Sequence, residues 1–170
     1  MVDAIVYTSR SGHTYVYAKA LAEELNLPFY TRKEAKKYLP TGASIIYMSW
    51  VKENIIVKYN SMLKYHIDSV CAVGILPATE ERLGIVRYTN QLYAKLFYLP
   101  GGIQKKRLSL FQRITLKSIE NDLSFKLLDS GLKKEDALAL DAILHNLNYT
   151  DLKTLEPIIN LYNKKDEYIS

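Results

Sequence analysis

The sequence predicts an α/β domain in which one parallel β-sheet is covered by helices on both faces. Short apolar runs, typical of buried strands, alternate along the chain with segments whose apolar residues recur at helical spacing. That alternation favours βαβ units, and right-handed crossovers then favour a doubly wound sheet. A length of 170 residues, 48% hydrophobic and 24% charged, suits one such domain spanning residues 1–170.

Five segments carry the strand pattern. The first and third are uninterrupted apolar runs, the fourth ends at Pro77, and the fifth is broken by Pro100. Because strands buried on both faces of a parallel sheet are apolar throughout, these runs indicate central positions. The predicted strands are residues 4–7, 27–30, 43–48, 69–76 and 95–99.

The helices follow from apolar spacing. Residues Val16, Tyr17 and Leu21 place an apolar stripe on the first helix, and Pro40 ends the second. The predicted helices are residues 14–25, 33–39, 55–65, 80–93, 108–128, 136–147 and 152–162. The segment 103–147 departs from simple alternation, so we interpret it as a helical insertion after the fifth strand.

The apolar stretches, the single cysteine and the net charge limit the location and the partners that we expect. No apolar stretch reaches the roughly 18 residues of a membrane span, and no basic region precedes the first apolar run, so we expect a cytoplasmic protein without a signal peptide. Cys71 is the single cysteine and sits among apolar neighbours, which predicts a core thiol. The net charge of +5 would suit nucleic acid, an anionic membrane face or a merely solvated surface. We expect no nucleic-acid partner.

The segment between the first strand and the first helix is rich in hydroxyl groups. Free N–H groups and the macrodipole at a helix N-terminus favour an anion, and glycine lets the backbone approach it closely. The P-loop pattern is absent because no lysine follows the glycine, and the dinucleotide pattern GxGxxG is absent because the glycine stands alone. A terminal phosphate fits this loop, which comprises Thr8, Ser9, Arg10, Ser11, Gly12, His13 and Thr14.

The same stretch resembles the flavodoxin signature, which asks for apolar, aromatic, hydroxyl, small and aliphatic residues in a fixed order. The positions that match are Ile5, Val6, Tyr7, Ser9, Gly12, Thr14, Ala18 and Leu21. The resemblance implies a flavodoxin-like fold, with the five strands in the spatial order 2-1-3-4-5, and bound FMN. It also implies that the hydroxyls of Ser9, Ser11 and Thr14, with nearby amides, hold the FMN phosphate. Arg10 would neutralise charge or lie at the surface. We predict no metal site, because the histidines lack ligand spacing.

Two further loops should flank the flavin ring, beyond the carboxyl ends of the third and fourth strands. The resemblance places a hydroxyl residue followed by tryptophan in the first loop, and an indole there would stack on the ring or serve as a core lid. The glycine usual in that loop is missing, unless Asn54 adopts the left-handed conformation. Electron-transfer flavodoxins commonly present an acidic, glycine-rich second loop with a stacking tyrosine, and this loop has neither glycine nor tyrosine. The predicted ring-contacting residues are Ser49, Trp50, Val51, Lys52, Asn54, Leu76, Pro77, Ala78 and Thr79.

A second resemblance concerns the last third of the chain. Residues 97–102, 108–113 and 149–152 are similar to the menaquinone-linked protoporphyrinogen dehydrogenase branch, in which a basic insertion follows the fifth strand. Lys105, Lys106 and Arg107 begin the basic stretch here. It would meet a membrane face carrying quinone, meet porphyrin carboxylates, or simply pack on the sheet.

These observations predict an FMN-binding redox protein that transfers electrons through non-covalent FMN. Its partner would be a redox protein or a small planar substrate. The alternative is an FMN-dependent oxidoreductase acting on a quinone, porphyrinogen or similar planar compound. A flavodoxin fold that has lost its cofactor is a third interpretation. No residue has to act as an acid or base for simple electron transfer.

Overall fold

The structure, a computed structural model, describes residues 1–102, 106, 110–129, 131, 134–145 and 148–167. The strands are β1 (Ala4–Thr8), β2 (Phe29–Thr31), β3 (Ser44–Lys52), β4 (Ile55–Ile56), β5 (His66–Gly74) and β6 (Lys95–Pro100). The helices are α1 (His13–Glu24), α2 (Arg32–Tyr38), α3 (Glu80–Thr89), α4 (Leu110–Asp129), α5 (Lys134–His145) and α6 (Glu156–Glu167). Two 3-10 turns cover Tyr59–Met62 and Leu152–Leu155.

Five parallel strands form the main path of the sheet, in the order β2-β1-β3-β5-β6. This is the predicted order 2-1-3-4-5, with β5 and β6 in the fourth and fifth places. The fold is therefore the expected α/β doubly wound, flavodoxin-like one. The register places Thr8 beside Ser49, and Ser49 beside Ala72, near the carboxyl ends of their strands. The carboxyl ends of the three central strands thus meet there.

Each face of the sheet carries its own apolar core. On one face Ile46, Met48 and Cys71 pack with α1 and α6, and on the other Ile45 and Tyr47 pack with α2, α3 and the first 3-10 turn. Consecutive residues of β3 alternate between these two cores, as the strand period of two requires. Cys71 is fully buried, as predicted, and burial raises the pKa of its thiol.

The prediction of a helix over residues 55–65 is wrong. Ile55 and Ile56 instead form β4, which pairs antiparallel with the end of β3, and a 3-10 turn follows. Glu53 and Asn54 both have positive φ, at 49° and 65°. Positive φ at both central positions is the geometry of the two-residue turns that join hairpin strands, so the chain reverses here. β3 consequently continues to Lys52, and Ser49, Trp50, Val51 and Lys52 lie in a strand rather than a loop.

The insertion contains the two helices predicted for it, α4 and α5. They pack on each other through Leu123, Leu140 and Ile143. The ends of the insertion are joined at the sheet, because Gly102 forms an isolated antiparallel bridge with Asn148. Several residues of the predicted basic stretch and helix ends lie outside the described residues, namely Lys105, Arg107, Leu108, Ser109 and residues 146–147.

The C-terminal segment closes the α1 face of the sheet. Asp151 caps the second 3-10 turn by accepting the Lys153 N–H, and α6 follows. The Tyr162 hydroxyl donates to Asp68 Oδ2 at 2.6 Å and also contacts the Ser69 hydroxyl. Among the described residues, no helix is long and apolar enough to cross a membrane.

Candidate functional site

The loop between β1 and α1 begins at the carboxyl end of β1, one of the three central strands of the sheet. Gly12 precedes the helix in the left-handed conformation, with φ 99°. The first helical bond runs from the Val16 N–H to the Gly12 carbonyl, so the N–H groups of residues 13–15 point out of the helix N-terminus. The first turn of α1 contains no acidic residue. This end of α1 therefore presents donors and positive dipole without a competing carboxylate.

Ser9 occupies an unusual position in this loop. Its Oγ atom is buried and has no hydrogen-bond partner among the described residues. Leaving a buried hydroxyl without a partner costs about 1–3 kcal/mol, so native proteins rarely retain one without a reason. Thr14 is also buried, at 2% exposure, whereas Ser11 is half-buried. The three predicted hydroxyl residues thus lie within one short turn of the chain.

The loop opens onto a groove of about 490 Å³ between it and the β2–α2 turn. Ser9, Arg10 and Gly12 form one side, and Thr31 and Arg32 the other. We call this the β2-side groove. The remaining residues that line it are Tyr7, Thr8, Tyr15 and Lys33.

Arg10 joins the loop to the end of β3. Its guanidinium lies 5.5 Å from the centroid of the Trp50 ring, in a cation–π contact. Trp50 shares its face of the sheet with Met48, on the α1 side, and is half-buried. The structure therefore brings together the predicted phosphate loop and the predicted stacking residue.

The hydroxyls of Thr8 and Ser49 form hydrogen bonds with other residues of the protein. The fully buried Tyr47 donates its hydroxyl proton to the Val57 carbonyl at 2.7 Å, and therefore accepts from Thr8 Oγ1 at 2.9 Å. The Ser49 hydroxyl donates to the same Val57 carbonyl at 2.8 Å. Burial raises the pKa of the Tyr47 phenol. Thr8 and Ser49 thus support the structure around the site, because their hydroxyl protons are donated to Tyr47 and Val57 rather than to a ligand.

The other predicted residues of the β3–β4 turn are partly tied to α3. Asn54 has the left-handed conformation that replaces the missing glycine, and its carbonyl accepts from Asn90 Nδ2 at 2.7 Å. Asn90 Oδ1 accepts from the Ile56 N–H at 2.8 Å. Lys52 and Glu53 form an exposed ion pair with 3.7 Å between the charged atoms, which contributes little. Val51 is half-buried beside them.

The loop after β5 contains Leu76, Pro77, Ala78 and Thr79 and leads directly into α3. Thr79 caps that helix, because its hydroxyl accepts from the Arg82 N–H at 3.2 Å. The Thr79 N–H donates to the Pro77 carbonyl at 3.0 Å. The Thr79 amide is therefore used within the turn and is not presented to the predicted flavin ring.

Sequence reasoning missed a connection from the phosphate loop to the C-terminal turn. His13 Nδ1 lies 2.8 Å from the Thr150 hydroxyl, and His13 is buried. The Tyr17 hydroxyl donates to the Pro100 carbonyl and accepts from the Asp151 N–H. These partners are more than 80 residues apart, so no local pattern could have paired them.

The fold and this edge together define a flavodoxin-like, doubly wound protein with a hydroxyl-rich loop at the N-terminus of its first helix. No family model matches the chain, and a search of curated proteins finds no match.

Proposed function

We propose that this protein binds FMN, with the phosphate in the loop of residues 8–14, and transfers electrons through the flavin. The observation that carries the proposal is the buried Ser9 Oγ, which has no hydrogen-bond partner within the described part of the chain and lies in a loop that leads into a helix N-terminus. A phosphate oxygen would accept the Ser9 proton and remove the cost of the buried hydroxyl. No divalent metal is needed for such a cradle, which suits a phosphomonoester.

The remaining donors are arranged for the same anion. The N–H groups of residues 13–15 lie at the positive end of the α1 dipole, and Ser11 and Thr14 add hydroxyls nearby. Gly12 has no side chain to obstruct the approach. Arg10 lines the adjoining groove and supplies a full positive charge. Thr8 contributes support rather than a donor, because its proton goes to Tyr47.

The flavin ring would lie toward Trp50, whose face opposite Arg10 is the candidate stacking surface. FMN, when bound, supplies the one- and two-electron chemistry, whereas the protein controls access and potential. The basic charge of +5 favours a partner or substrate with negative charge.

The test compares FMN with riboflavin, which has the same ring and no phosphate. Flavin-free protein is titrated with each, and binding is followed by quenching of flavin fluorescence. We expect FMN to bind at least 100-fold more tightly than riboflavin, since charge-assisted hydrogen bonds each contribute about 1.5–3 kcal/mol. Equal affinities would show that the phosphate is not recognised, and no uptake of either would refute flavin binding.

A second candidate function is an FMN-dependent oxidoreductase for a quinone, porphyrinogen or similar planar substrate. It is favoured by α4, where Ile114, Phe125 and Leu128 are exposed at 61%, 70% and 86% and lie on the same helix as Arg113 and Lys117. Such a surface suits an anionic membrane face that carries quinone. Turnover of protoporphyrinogen with a quinone acceptor would support the enzyme. Inactivity with every substrate and acceptor, with FMN bound, would support the carrier.

A further inference from the structure

The β2-side groove has more positive charge than one phosphate in the loop requires. Arg10, Arg32 and Lys33 line it, and no acidic residue is among its lining. Among the described residues, none of these three cations has a carboxylate within 4.0 Å. The nearby Glu34 carboxylate accepts from the Thr31 N–H at 2.8 Å, where it caps α2. The cations are therefore available to an anionic ligand.

One wall of the groove is aromatic. The Tyr7 and Tyr15 ring centroids are 5.8 Å apart, and Phe29 lies about as close to both, at 6.0 and 6.2 Å. Tyr15 is 41% exposed although it packs in this cluster. A rigid, partly exposed aromatic surface beside cations is the arrangement on which nucleobases stack. The volume also falls within the range of about 300–1,000 Å³ typical of small-molecule sites.

Arg10 connects the groove with the candidate flavin surface. Its side chain lines the groove together with Ser9 and Gly12, and its guanidinium also lies 5.5 Å from the centroid of the Trp50 ring. A phosphate held by the loop would thus lie next to the groove.

We propose that the β2-side groove binds a nucleoside phosphate next to the flavin phosphate, with its phosphate on Arg32 and Lys33 and its base on Tyr15. The inference rests on the proposed function for the position of the flavin. The nucleoside phosphate has two sources, the adenylate half of FAD or a separate nucleotide, and the chemistry of recognition is the same for both.

The experiment uses isothermal titration with three probes. FMN and FAD are each titrated into flavin-free protein, and ADP is titrated into protein saturated with FMN. If the adenylate is part of the flavin, we expect FAD to bind at least tenfold more tightly than FMN. If it is separate, we expect ADP to bind the FMN-loaded protein. Absence of both results would overturn the proposal.

Matched variants tie the result to the groove. Arg32→Ala and, independently, Lys33→Ala should weaken adenylate binding about tenfold and change FMN affinity less than twofold. Tyr15→Leu should weaken it about tenfold through lost stacking. Lys36→Ala is the control, because Lys36 is exposed on the same helix and does not line the groove. Equal losses for FMN and adenylate in the Arg32 and Lys33 variants would contradict the proposal.

Failure of the proposed function is distinguishable from failure of this inference. If no flavin binds, ADP titrated into the flavin-free protein still tests the groove. ADP binding that is weakened by Lys33→Ala and unchanged by Lys36→Ala would support the groove alone. Lack of ADP binding there would overturn it.

Discussion

Two neighbouring segments at the carboxyl end of the sheet differ in how completely the protein itself satisfies their polar groups. In the β3–β4 hairpin (residues 49–57), Ser49, Asn54 and the Val57 carbonyl are bonded to the protein itself. In the phosphate loop (residues 8–14), the buried Ser9 hydroxyl has no partner among the described residues, and the loop opens onto a groove. Both segments contain hydroxyl and charged residues, so the presence of polar side chains alone does not distinguish them.

The difference separates a segment that maintains the fold from one arranged for a ligand. Polar groups that are satisfied internally rigidify a structure, whereas a buried donor without a partner destabilises it unless a ligand binds there. Changes in the hairpin should therefore alter stability more than ligand affinity. Changes in the phosphate loop should do the reverse.

The largest expected effect is on ligand affinity, from Ser11→Glu in the phosphate loop. A carboxylate near the FMN phosphate places like charges together, and at about 4 Å their repulsion is worth about 4 kcal/mol at an effective dielectric of about 20. We expect FMN affinity to fall at least 100-fold in a fluorescence titration. Ser118→Glu, on the exposed surface of α4, is the control and should bind FMN normally. Retention of affinity by Ser11→Glu would mean that the phosphate is held elsewhere.

A large effect on stability is expected from Asn90→Ala, which disconnects the hairpin from α3. The Asn90 side chain accepts from Ile56 and donates to Asn54 and Val86. Its loss should lower the free energy of unfolding by about 2–3 kcal/mol, measured by urea denaturation. The exposed Asn60→Ala is the control. FMN affinity should change less than threefold, and a loss comparable with that of Ser11→Glu would erase the distinction between the two segments.

Tyr47→Phe tests the hydrogen bonds that connect Thr8 of the phosphate loop, through Tyr47, with Val57 of the hairpin. It removes the acceptor of the Thr8 proton and one donor to Val57, in a fully buried position. We expect a loss of about 1–2 kcal/mol in unfolding free energy, because one hydroxyl network is broken while the ring is retained. Tyr38→Phe, at an exposed tyrosine, should have little effect. An unchanged stability in Tyr47→Phe would show that the network is not formed.

The smallest effect is on stability, from the Thr31–Glu34 capping box that begins α2 beside the β2-side groove. Hydrogen bonds from the Thr31 amide and hydroxyl lower the pKa of Glu34 below its ordinary value of 4.5. The ionised carboxylate therefore stabilises the folded state fully at pH values above 4.5. This contribution is lost as the pH falls through the lowered pKa of Glu34. The stability difference between the wild type and Glu34→Gln should be largest near neutral pH and shrink in acid. A difference independent of pH would contradict the assignment.

The parallel part of the sheet could be predicted because its strands leave a local pattern in the sequence. The apolar runs around Ile5, Ile46 and Val70 lie between turn residues, and crossover rules then leave few strand orders. The hairpin could not be predicted, since Ile55, Ile56 and Tyr59 fit helical spacing equally well. What decides the conformation is the positive φ of Glu53 and Asn54, residue types that do not demand it.

The candidate site was predictable only in part, for a related reason. The loop of residues 8–14 is contiguous, so its hydroxyls and Gly12 were visible in sequence. The use of the Thr8 proton by Tyr47, and the contribution of Arg32 to the groove, depend on tertiary contacts between separate segments. Local patterns carry no information on such pairs.

The most direct test of the central claim is Ser9→Ala, measured with both FMN and riboflavin. If the Ser9 hydroxyl donates to the phosphate, the substitution should weaken FMN binding about tenfold and leave riboflavin binding unchanged. The flavin-free variant should be as stable as the wild type or more stable, because a buried hydroxyl without a partner has been removed. Equal losses for both flavins, or a less stable flavin-free variant with unchanged FMN affinity, would contradict the account.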